Sequence, residues 1–99
     1  MRIKGLNAFE EEVIKDILKP FLAVYDFYYY GSRVKGDFRS LSDLDILSKG
    51  KTPMLPDDCD TLKELFDASN LPFIVNIVDF HLISNTFYND IKKDLVSVF

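Results

Sequence analysis

Apolar positions fall along the chain in short periodic runs separated by polar, turn-rich stretches. From Asn7 to Lys19, Phe9, Val13, Ile14, Ile17 and Leu18 recur at helical spacing and predict one apolar stripe. Asn7, with Glu10 three residues on, predicts a capped start, and Pro20 closes the helix. Glu10, Glu11 and Glu12 suit the positive end of the helix dipole and need no further role. Residues 24–30 then alternate, with Val24, Asp26, Tyr28 and Tyr30 on one side and Tyr25, Phe27 and Tyr29 on the other. Aromatic residues on both faces predict either an interior strand or one with a face left for a partner. Asp26, near the strand's start, reads as structural.

A turn and short helix are expected over Gly31–Gly36, a polar loop with Arg39 and Ser40 over 37–42, and a second strand over 43–48. Gly50, Pro53 and Pro56 mark a loop. A helix over about 58–69 should turn Leu62, Leu65 and Phe66 inward, and Asn70-Leu71-Pro72 ends it. Phe73 to Phe80 reads as a third strand. Ser84 offers a cap for a helix over 85–94 bearing Phe87, Tyr88, Ile91 and Leu95. The apolar tail, 96–99, is either a short strand or a segment that docks on another chain. Strands and helices at this density predict an α/β, two-layer α+β domain spanning 1–99: a small mixed sheet with helices on one side.

Composition narrows the function classes. A chain of 99 residues with 47% hydrophobic residues, nine Phe and five Tyr can build a core. Burial at this size is marginal, so a partner subunit or a homo-oligomer is expected to cover surface. The formal charge of −4 argues against a general nucleic-acid binder. One cysteine, Cys59, precludes an internal disulfide; set among Asp57, Asp58 and Asp60, it reads as an inert thiol in a reducing cytosol. No run of 18 apolar residues and no signal core occur, so a cytoplasmic protein without a membrane span is expected.

The chemistry-bearing stretch runs from Tyr30 to Leu47. A strand that stops at Gly31-Ser32 and enters a short helix aims backbone N–H groups outward, which suits a phosphate. Asp43 and Asp45, at i and i+2, project from one face of a strand about 6.6 Å apart. Hard oxygen ligands beside an anion-binding turn describe a site for a magnesium-bound nucleotide. An ordinary helix cap is the lesser reading of Ser32, while Arg33 and Lys35 equally neutralise phosphates or are solvated helix charges. Arg39 is a weaker candidate.

Gly31-Ser32, ten intervening residues and Asp43-Leu44-Asp45, with the wording Gly-Ser-Arg-Val-Lys-Gly and Ser-Asp-Leu-Asp-Ile, resemble the minimal nucleotidyltransferases, small members of the DNA polymerase β-like superfamily. The resemblance covers nearly the whole chain and implies a short sheet carrying the metal site with helices packed behind. It further implies ATP or another nucleoside triphosphate as substrate and two magnesium ions held by Asp43 and Asp45. Gly31, Ser32, Arg33 and Lys35 would meet the nucleotide. Members paired with HEPN-domain toxins act as antitoxins, and some transfer AMP to a toxin tyrosine. Antibiotic-modifying relatives are the weaker enzyme alternative, since 99 residues leave no second domain for a small substrate.

The family's third carboxylate belongs in a Val-Asp-Leu-like segment, and the matching register here is Val75-Asn76-Ile77. Asn76 keeps an oxygen but has no charge and cannot act as a base at neutral pH. Asp79, three residues on, should face the other way unless a bulge brings it round, and is the fallback third acid. His81, the only histidine, is either a general base or a cap on the strand end. The rival to an enzyme is therefore a catalytically impaired, nucleotide-binding antitoxin that neutralises its partner by binding alone.

Overall fold

Residues 3–39 and 42–99 are described by the structure, a computed structural model; Met1, Arg2, Ser40 and Leu41 lie outside the described residues. Helix α1 spans Ala8–Leu18 and opens with a complete capping box: Glu10 N–H donates to Asn7 Oδ1, and Asn7 N–H to Glu10 Oε1. Pro20 is taken up in a single 3-10 turn, Lys19–Phe21, that continues the helix. Strand β1 (Tyr25–Tyr30) leads through Gly31 into the one-turn helix α2 (Ser32–Lys35). Strand β2 (Leu44–Gly50), helix α3 (Pro56–Asp67) and strand β3 (Val75–Asp79) follow. Helix α4 (Asn85–Ile91), capped by Ser84, and the two-residue strand β4 (Val96–Ser97) close the chain.

The sheet is mixed, in the order β3-β2-β1-β4, with β3 parallel to β2 and the other pairs antiparallel. Alternation sorts its residues onto two faces. Tyr25, Phe27, Tyr29, Leu44 and Ile46 join Ile14 and Leu18 of α1 and Leu62 and Phe66 of α3 in the main core. Each such side chain, fully buried, contributes about 1.5–3 kcal/mol. The other face carries Tyr30, Asp45, Leu47 and Asn76 in register. The two long helices thus share one face, while α4 reaches the other, where Phe87 meets Tyr30 edge-on with ring centroids 6.0 Å apart.

Several expectations need correction. Phe9 is 61% exposed, and Ile3 and Leu6 fill the core in its place. Helix α3 begins at Pro56, whose missing N–H costs nothing in the first turn, rather than at Asp58. Leu65 points outward, because an inward face set by Leu62 and Phe66 leaves no room for the position between them. Of the two readings of the tail, the short strand holds: Val96–Ser97 pair with β1 and Val98 is fully buried. Among the described residues, no helix is long and apolar enough to cross a membrane.

Candidate functional site

The site forms where β1 ends beside the start of β2. Antiparallel pairing sets Tyr30 opposite Asp45, so the chain leaves the sheet at Gly31 directly over that carboxylate. Gly31 has φ 88°, and a Cβ there would collide with Asp45 Oδ2. Two demands therefore require glycine: the left-handed backbone and the close approach. Gly31 is the N-cap of α2, not Ser32, and its C=O accepts N–H groups from Val34 and Lys35 at 3.1 Å. The Ser32 hydroxyl is left without a partner among the described residues.

Asp43 is exposed just before β2, and Asp45 is half-buried within it. Parallel pairing sets Asn76 beside Asp45, and the Asn76 amide donates to Asp43 Oδ2 at 2.9 Å. The Asp45 carboxyl is pushed above its ordinary range, first by burial; Asp43's charge adds to this, and a hydrogen bond from Asn76 opposes it. Two crowded carboxylates, one of them partly desolvated, form a donor set suited to a hard divalent cation. The fit is that of two charged oxygen ligands and one neutral amide oxygen.

Tyr30 is a site-face residue that pattern reading treated only as part of an aromatic strand. Burial, and then Asp45, push its hydroxyl up to about 12, so it stays a protonated donor. The signal was its parity with Asp45 across the pairing, which needs the strand register and not the sequence alone.

Arg33 is not a solvated helix charge. It is 3% exposed, its Nε donates to Ser42 C=O at 2.9 Å, and its Nη1 donates to Gly5 C=O. The guanidinium also lies 4.0 Å from the centroid of Phe73. Burial lowers its pKa somewhat, with Glu10 opposing. It ties the turn to the loop before Asp43. Lys35 is drawn to Asp94, 4.0 Å away, in a partly exposed pair, and Arg39 is exposed.

Asp79 stands on the core face, because the β2–β3 register runs without a bulge from Leu44↔Val75 to Ser48↔Asp79. Its Oδ2 accepts from Met54 N–H at 2.6 Å and its Oδ1 from His81 N–H at 3.0 Å. Those bonds make it a latch between loops, and the fallback assignment of a third acid is corrected. His81 Nε2 contacts Gly50 C=O at 2.7 Å, at the end of β2 away from Asp45. The Cys59 thiol is raised chiefly by burial and further by Asp79, Asp60 and Asp58, and is a poor nucleophile.

A mixed sheet with a glycine turn at one strand end and paired carboxylates on the next sets the chain among small α/β proteins with a carboxylate site at a strand end. The nucleotidyltransferase domain family matches residues 10–96, and the chain belongs to it. It is 35% identical over 89 residues to the probable protein adenylyltransferase MntA of Haemophilus influenzae, covering 90% of this chain and 78% of that protein. Its fold is similar to that of a toxin–antitoxin crystal structure with AMP-PNP (TM-score 0.72, 21% identity, 90% of this chain and 72% of the other). It is similar also to a chain of the structure of a tri-AMPylated Shewanella oneidensis HEPN toxin in complex with MNT antitoxin (TM-score 0.65, 19% identity, 90% of this chain and 68% of the other).

Proposed function

We propose that the protein is the antitoxin of a HEPN-domain toxin in the cytosol and transfers AMP from ATP to a tyrosine of that partner with magnesium bound. The observation that carries this is the Gly31 backbone lying against Asp45 with Asp43 and Asn76 beside it. The 35% identity to a probable protein adenylyltransferase supports the choice of AMP and of a protein acceptor. In the transfer, the tyrosine oxygen bonds to the α-phosphorus, the bond to the β-phosphate oxygen breaks, and pyrophosphate leaves. Asp43 and Asp45 would hold two magnesium ions, which stabilise charge on the attacking and leaving oxygens when bound. Gly31 and the Ser32 hydroxyl meet the phosphates, and Tyr30 lends a donor beside Asp45.

Asn76 favours a second reading, in which the chain binds nucleotide and partner but transfers slowly. It cannot accept the tyrosine proton, so that proton goes to water. Titration of ATP by calorimetry, with and without magnesium, tests the site. Wild type should bind with magnesium, and Asp43→Asn with Asp45→Asn together should lose at least about tenfold, ~1.4 kcal/mol. Equal affinity in every arm removes the metal–nucleotide site. Labelled ATP incubated with the co-produced toxin then separates the two readings: brisk labelling supports transfer, and toxin neutralised without label supports binding alone.

A further inference from the structure

Strand β3 is an outer strand whose far edge is unpaired among the described residues. Leu44 N–H donates to Ile74 C=O at 2.8 Å, which turns the polar groups of Ile74, Asn76 and Val78 toward β2. Successive residues alternate, so the N–H and C=O of Val75 and Ile77 point outward, where neither finds a partner among the described residues. Natural edges are guarded by charge, proline or a covering segment. Val75–Asp79 has none of these before its last residue, and neighbouring Ile74 is 63% exposed.

A cleft of about 610 Å3 follows this edge. Asp45 and Asn76 line it on the site face, and Asp60, Lys63 and Asp67 of α3 line it on the other. Helix α3 carries five acidic residues against Lys63 alone, a net of −4 that equals the formal charge of the whole chain. The unpaired edge is therefore continuous with the carboxylate site at one side and flanked by negative charge at the other.

We infer that the edge of β3 is the docking strand for the acceptor protein, which adds an extended, basic segment to the sheet and so delivers its tyrosine to Asp43 and Asp45. This rests on the reading of the site as a protein-modifying one and supplies what that reading lacks, a way to hold the acceptor. Strands lie about 4.8 Å apart, so a residue added opposite Asn76 continues the row Asp45, Asn76 on the same face. A tyrosine there needs to lean back across only one strand to reach the carboxylates. Main-chain bonds to Val75 and Ile77 fix its register, and the acidic flank selects a basic segment.

Amide exchange followed by NMR tests this without nucleotide. The probe is a ten-residue peptide alternating lysine and valine about a central tyrosine, with its glutamate counterpart as control. The amides of Val75 and Ile77 should exchange fast in the free protein and slow at least about tenfold with the lysine peptide. The glutamate peptide should protect them less, and joint Asp60→Lys and Asp67→Lys should weaken the lysine peptide at least about tenfold. Protection absent, or equal for both peptides, overturns the inference. So does protection that appears without peptide and grows with protein concentration, since a second copy then covers the edge. Toxin labelling separates the two levels: protection without labelling leaves docking standing and removes transfer, whereas labelling without protection removes docking alone.

Discussion

At Asn76 a neutral amide stands between two carboxylates and donates to one of them at 2.9 Å. Asn76→Asp should raise transfer to the partner, by an amount approaching the ~10²–10⁴-fold that general-base help supplies. It should also lower the melting temperature without magnesium, because a third carboxylate then crowds the first two, and restore it with magnesium present. Labelling rates and melting curves with and without the ion check both halves. Asp45 makes a different claim, about pH. Its folded pKa is raised, so the native state binds more protons than the unfolded chain across the window between the ordinary and raised values. Stability from this group therefore falls as pH rises through that window and stays lower above it. Asp45→Asn should stabilise the protein at pH 7 in denaturant unfolding, and the advantage should fade below about pH 4, where carboxylates protonate in both states.

Among the elements, the β1–α2 junction is the one most tightly specified by sequence. Gly31→Ala should destabilise by roughly 1–3 kcal/mol, which for a chain of this size lowers the melting temperature by about 4–24 °C. The same variant should abolish magnesium-dependent ATP binding, since the new methyl group displaces the Asp45 carboxylate. Calorimetry beside a thermal melt reads both. The junction was legible because Gly-Ser after an aromatic strand and Asp-x-Asp entering the next are local patterns. The faces of the helices were less so. Phe9 and Leu65 both sit at helical spacing with true core residues, and both are exposed. Periodicity gives the direction of a face but not its width, which depends on how close the sheet comes.

For the molecule as a whole, strand order and parity were implicit in the chain but not visible along it. The Val-Asn-Ile register of Asn76 could be read, since a strand without a bulge puts Asn76 and Asp79 on opposite faces. The tail could be read as a short strand, but its place beside β1, burying Val98, depends on a pairing between distant segments. Arg33 escaped for the same reason. Its partners are Gly5, Ser42 and Phe73, remote in sequence, so nothing beside the turn marked it as buried.

That clasp predicts that the spacing of the signature can lengthen without loss of the site. Arg33 Nε donates to Ser42 C=O, so these two residues stay together across the segment that joins them. Lengthening that segment by four residues costs only about 0.3 kcal/mol in closure entropy. Four glycine and serine residues inserted after Asp37 should therefore leave ATP affinity within about twofold of wild type. The same insertion in an Arg33→Lys background, where the planar fork is gone, should weaken binding well beyond the sum of the two changes. If the insertion alone destroys binding, the loop's length and not its clasp sets the site. Otherwise the distance between the serine and the aspartates is held by one buried guanidinium, and the loop is free to lengthen.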